Sequence, residues 1–152
     1  MKKLTPLALG AAFCALGASG QLLADDMKLS ACLHNGTTIG GVGSCGKVWK
    51  LASGHAEVKS SGKLKFKVKG LVLDDASTGD ANGTADGVDA VAPAVVCGDK
   101  VAAQGKPVKL SKSGNAKGSA KLAIPSGCTA PVVILRERYE GKIGGWLAAT
   151  GQ

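Results

Sequence analysis

The chain has 152 residues, with 19 basic against 11 acidic side chains, a formal net charge of +8 and only 3% aromatic residues. That length suits one domain with its own core. Arg136 and Arg138 are the only arginines, and Trp49, Phe66, Tyr139 and Trp146 are scattered, so the interleaved basic and aromatic pattern of nucleic-acid binding is absent.

Residues 1–24 read as a secretory signal: Lys2 and Lys3, an apolar run from Leu4 to Leu16, then small residues up to Ala24 ahead of Asp25-Asp26. Lipid attachment at Cys14 is the alternative, and the bulky Phe13 before it argues against a lipoprotein-type cleavage site. No later apolar run reaches about 18 residues, so no transmembrane segment is expected in the mature chain. Residues 25–152 are then a single domain; without Lys2 and Lys3, 17 basic residues stand against 11 acidic ones, a net +6. Such a charge suits an acidic polymer or an anionic surface.

Four cysteines lie beyond residue 24: Cys32, Cys45, Cys97 and Cys128. An even number in an exported chain points to two disulfides, for which three connectivities exist. Cys32 with Cys45 and Cys97 with Cys128 is the expected pairing, because each pair is local and flanked by strand-like sequence. No Cys-x-x-Cys occurs, and only His34 and His55 add imidazoles, so a zinc site is not expected.

In chain order, the alternation of Met27, Leu29 and Ala31 with Lys28, Ser30 and Cys32 predicts a first strand, ending at His34-Asn35-Gly36. The glycine-rich stretch 36–46 lacks the order of a phosphate-binding loop and reads as a flexible loop or irregular edge closed by Cys32 and Cys45. Strand character resumes at Lys47–Leu51. Gly54–Lys59 and Lys63–Lys69 then form a hairpin around Ser60-Ser61-Gly62, with Gly62 left-handed. In the second of these strands Leu64, Phe66 and Val68 alternate without fault with Lys63, Lys65, Lys67 and Lys69. A slip by one residue would bury four ammonium groups, so the register is set: Val58 faces Leu64, Glu57 faces Lys65 and Ala56 faces Phe66. The exposed lysine row is either an anion-binding strip or a solvated sheet face.

The segment 74–89 carries Asp74, Asp75, Asp80, Asp86 and Asp89 among glycines and Asn82. Those oxygens suit calcium, although the spacing fits no EF-hand and solvated turns have the same composition. Val91–Cys97 reads as a strand near an edge or a bulge because of Pro93. Pro107–Ser111 and Ala116–Ile124 read as a second hairpin. Pro131–Glu137 is expected to be a central core strand and Gly144–Thr150 a last strand, with Trp146 packed and its indole hydrogen-bonded. Glu137 and Glu140 form an acid pair on paper, but Arg136 and Arg138 interleave with them and make a solvated charged turn the better expectation. Short strands at regular spacing, with no sustained helical period, predict an all-β antiparallel β-sandwich, immunoglobulin-like, with a small β-barrel as runner-up.

The lysine-rich strand, Gly70-Leu71-Val72-Leu73, Ala94-Val95-Val96-Cys97, Ser113-Gly114-Asn115-Ala116, Cys128-Thr129-Ala130-Pro131-Val132-Val133 and Trp146-Leu147-Ala148-Ala149-Thr150-Gly151 together resemble a group of small exported bacterial β-domain proteins of uncharacterised function. The resemblance spans roughly residues 45–151. It implies export, one β-domain and the second cysteine pair, and it carries over no assigned catalytic or binding residues.

No Gly-x-Ser-x-Gly elbow, metal set or poised carboxylate pair stands out, so a non-enzymatic binding or structural module is expected, periplasmic or extracellular. The sequence names no partner; if the module has a ligand, the lysine face suggests an anionic glycan or lipopolysaccharide. The alternatives are a protein-interaction domain using a strand edge and a calcium-dependent adhesion module.

Overall fold

The computed structural model describes residues 22–152. The leader residues up to 21, with Cys14, lie outside the described part, and residues 22–24 already belong to the first strand.

Eleven strands follow in chain order: β1 (Leu22–Ala31), β2 (Trp49–Lys50), β3 (Ser53–Lys59), β4 (Lys63–Lys69), β5 (Val72–Leu73), β6 (Val88–Cys97), β7 (Lys100–Gln104), β8 (Val108–Lys109), β9 (Ala116–Lys121), β10 (Val132–Tyr139) and β11 (Lys142–Thr150). A short 3-10 segment, Ala76–Ala81, lies between β5 and β6. The main sheet runs β7-β6-β10-β11-β1-β3-β4-β9, with β8 also on β6, while β2 and β5 form a separate ribbon. Every strand ladder is antiparallel.

The all-β antiparallel expectation holds, and the architecture combines features of its two variants. Instead of two separate sheets, as an immunoglobulin-like sandwich has, one sheet turns a corner at β1. The first part of β1, up to Lys28, pairs with β3, and Leu29–Ala31 pair with β11. The two halves curl around one apolar cluster that includes Val58, Leu64, Phe66, Val68, Val91, Val95, Val133, Leu135 and Leu147. Each fully buried side chain of that size contributes roughly 1.5–3 kcal/mol of transfer free energy.

Where the curl nearly closes, glycines permit the approach. A Cβ on Gly118 of β9 would lie 2.8 Å from Val108 and 2.7 Å from the Phe66 ring, and one on Gly105 would lie 3.1 Å from both Ala120 and Pro93. Among the described residues β9 pairs only with β4 and β8 only with β6, so this seam is packed rather than laddered. The second hairpin expected from the sequence is therefore only a local reversal. The Ser111 N–H donates to the Asn115 carbonyl (3.0 Å), and then the chain diverges to opposite ends of the sheet. The small inward residues of β9, Ala116, Gly118 and Ala120, lie opposite Val68, Phe66 and Leu64, a fit that the bulkier partners on β4 make favourable.

Several expectations are met in detail. Gly62 has φ +88°, and the hairpin register is the expected one. Both disulfides form as expected, Cys32–Cys45 and Cys97–Cys128. β10 lies centrally between β6 and β11, and Trp146 is buried with its Nε1 donating to the Thr37 carbonyl at 3.2 Å. Pro93 is not on an edge strand. Its carbonyl accepts from the Gly105 N–H (2.7 Å) where the chain passes from β7 to β8, so its missing donor faces the break between those strands. The glycine-rich stretch is not a loose loop either. A Cβ on Gly40 would lie 2.7 Å from Val96, and the Trp146 N–H donates to the Gly43 carbonyl (3.0 Å), so the stretch lies against the sheet.

Candidate functional site

β4 is buried and exposed in strict alternation, with Lys63, Lys65, Lys67 and Lys69 on the outer face. Its neighbours complete that face. On one side, Ser53, His55 and Glu57 of β3 stand opposite Lys69, Lys67 and Lys65. On the other, Lys117, Ser119 and Lys121 of β9 stand opposite Lys67, Lys65 and Lys63. The lysine row is thus one column of a wider patch, with two cross-strand lysine pairs, Lys67–Lys117 and Lys63–Lys121, and Lys65 between them.

Lys117 and Lys121 were not among the residues singled out from the sequence. The alternation Lys117, Ser119, Lys121 was visible and gives a face, but not the neighbour that makes the face a patch.

Carboxylates sit on the β1 and β3 side only. Glu57 lies 3.8 Å from Lys59, and Asp26 Oδ1 lies 2.9 Å from His55 Nδ1. Asp26 reaches His55 because the β1–β3 register shifts between Ala24 and Met27, where Asp26 has φ +46°; such a bulge re-aims a side chain. Among the described residues, none of Lys63, Lys65, Lys67, Lys69 and Lys117 has a carboxylate within 4.0 Å. The Lys121 ammonium donates to the Ser61 carbonyl.

A shallow depression of about 660 Å³ crosses the three strands. Asp26, His55, Glu57, Lys65, Lys67, Lys117 and Ser119 line it. Its floor includes Ala56, Phe66 and Gly118, the first two almost fully buried as residues.

The aspartates of 74–89 do not assemble into the calcium loop that the composition suggested. Asp75 caps the 3-10 segment by accepting the Ser77 N–H (2.9 Å), and Lys50 donates to Asp74 (3.2 Å). Asp89 accepts from Arg138 Nε (3.0 Å), while Asp80 and Asp86 are exposed. Among the described residues no group of three or more His, Cys, Asp or Glu side chains converges. Turn formation and ion pairing with Lys50 and Arg138 take these carboxylates in different directions.

The ionisations follow these contacts. Hydrogen bonds from Ser77 hold the Asp75 carboxyl below its ordinary value, and the Arg138 guanidinium does the same for Asp89. Burial raises Glu137, opposed by the Gly145 N–H.

Nor is Arg136–Glu140 a solvated turn as a whole. Arg136, Glu137 and Arg138 lie on β10, Glu137 accepts the Gly145 N–H (3.3 Å), and only Glu140, at φ +49°, is in the turn. His34 Nδ1 lies 2.6 Å from the Cys45 carbonyl, away from the patch.

Fold and face together define an antiparallel all-β domain with two disulfides and one cationic sheet face. Among the described residues no helix is long and apolar enough to cross a membrane. No protein-family model, curated protein or solved structure matches the chain.

Proposed function

We propose that this protein is an exported, non-enzymatic binding module, akin to small exported bacterial β-domain proteins, whose β4–β9 lysine face holds an anionic polymer or surface in the periplasm or outside the cell. The carrying observation is the in-register grouping of Lys63, Lys65, Lys67, Lys69, Lys117 and Lys121 on one exposed face, with the carboxylates confined to its β1 and β3 border. Two disulfides suit an oxidising compartment, and the leader-like residues 1–24 suit export.

Binding is favoured over catalysis at this face. The His55–Asp26 pair is mostly exposed, and Ser119 stands opposite Lys65, one strand beyond β4 and out of line with His55, so no nucleophile is poised beside a base.

The test is binding of residues 25–152 to lipopolysaccharide, acidic glycans and neutral controls at low and physiological salt. The comparison is a variant with Lys63, Lys65, Lys67 and Lys69 changed to Gln. Selective binding at physiological salt that the variant loses supports the reading; equal binding by both proteins overturns it.

A second reading rests on the packed seam. Among the described residues β9 ladders with β4 alone, and its other side only packs on Val108 and Gly105, so a partner strand could take up its unladdered edge by displacing that packing. Association by that route would be nearly insensitive to salt, whereas lysine-face binding weakens steeply.

A further inference from the structure

The shape and lining of the patch narrow the ligand. We infer that the β4–β9 face takes a linear, hydroxyl-bearing polyanion, an acidic polysaccharide lying along the strands, with Glu57 and Ser119 reading its hydroxyl groups between two lysine pairs. This rests on the anion-binding reading above.

The dimensions come first. The cationic strip is seven residues of β4 long, about 20 Å, and two strands wide, with strands about 4.8 Å apart. On the β3 side the outer face turns to Ser53, His55 and Glu57, with Lys59 drawn to 3.8 Å from Glu57, and on the other side the ladder ends at β9; a strip so narrow fits a chain better than a plane of lipid headgroups. The pairs Lys63–Lys121 and Lys67–Lys117 are four residues apart on β4, about 14 Å, so consecutive anionic groups of one chain can engage both.

The lining is the second argument. Between the pairs, the row Glu57–Lys65–Ser119 sets a carboxylate acceptor and a hydroxyl across the same strip. An acceptor-only carboxylate repels phosphate or sulfate, but it is a strong partner for a sugar hydroxyl. Phe66, the aromatic side chain of β4, is buried, so it offers no stacking platform for nucleobases. Lysines alone would accept any polyanion; Glu57 and Ser119 among them suit one that also donates hydrogen bonds.

Direct binding to four probes at equal ionic strength tests this: a sulfated uronic-acid polysaccharide, a neutral polysaccharide without uronic acid or sulfate, inorganic polyphosphate, and vesicles of phosphatidylglycerol with phosphatidylcholine. The full mature chain is compared with Glu57→Ala and with the double variant Lys67→Gln/Lys117→Gln, each first checked for wild-type melting. The expected result is that the sulfated polysaccharide binds best. Glu57→Ala should weaken it about tenfold, the scale of one charge-assisted hydrogen bond, while binding polyphosphate as tightly or more tightly. The double variant should weaken both probes.

Tighter binding of every polyanion by Glu57→Ala would overturn this inference and leave the lysine reading standing, as would a preference of the wild type for vesicles or polyphosphate. If no charged probe binds, or the double variant binds like the wild type, the lysine reading falls with it.

Discussion

Gly62 combines two demands that only glycine meets. Its φ is +88°, and a Cβ there would lie 1.8 Å from the Leu122 carbonyl oxygen, next to the bond by which the Leu122 N–H donates to the Gly62 carbonyl (2.8 Å). Gly62→Ala must therefore strain the turn and push the end of β9 off β4, and a loss of about 2–4 kcal/mol is expected in urea unfolding. Gly98, also left-handed at φ +67°, has nothing within 4 Å of its missing Cβ, so Gly98→Ala should cost only about 1 kcal/mol. Glu137 gives a pH signature. Because burial raises its folded value, the folded state binds that proton more tightly than the unfolded chain. Its contribution is complete below the ordinary glutamate range and is lost as pH rises through the folded value. Glu137→Gln keeps an oxygen for the Gly145 N–H, so its melting temperature should gain on the wild type as pH is raised from about 4 to 7. Asp75 and Asp89 act in the opposite sense: their depressed values add stability above the ordinary aspartate range that is lost as pH falls. Asp89→Asn should accordingly flatten the acid limb of the stability profile.

The hairpin of β3 and β4 was legible in full because its information is local. Perfect alternation fixed the face, and the position of Gly62 fixed the turn. Strand neighbours distant in sequence were not legible. Ala116–Ile124 was assigned to the nearest strand, yet its small inward residues serve the bulky ones of β4, 48 to 56 residues away. β7 was missed because Lys100–Gln104 is short and only half-buried. The acidic segment misled for a related reason: composition shows which side chains can bind a metal, not whether turns and cations elsewhere take them first. At this scale the lysine row predicts its own repulsion, roughly 0.6 kcal/mol between neighbours about 6.8 Å apart in water. The fourfold Lys→Gln variant should thus melt at or slightly above the wild-type temperature in low salt, with the difference shrinking as salt is added. The disulfides hold segments whose ends are 13 and 31 residues apart. The chain-entropy model gives about 3 and 3.7 kcal/mol for them, so replacing Cys97 and Cys128 by Ala should cost at least as much as replacing Cys32 and Cys45. Denaturant titration of the two double variants checks the order.

For the molecule as a whole, the sequence reading reached the all-β class and both cysteine pairs, because alternation and cysteine spacing are written along the chain. It did not reach the shared strand β1. Whether two sheets are separate or continuous depends on where one strand changes partners, and the exchange between Lys28 and Leu29 interrupts no pattern in the residues themselves. That exchange has a temporal consequence. β1 lies near the start of the sequence and β11 near its end, yet they are neighbours, with Leu29 opposite Thr150. A chain delivered from its N-terminus, by a ribosome or through a translocation channel, can assemble β3 against β4 early, but it cannot fasten the two halves until β11 arrives. β11 is therefore a clasp: a chain that still lacks it is an open garment, its two halves joined by no shared ladder.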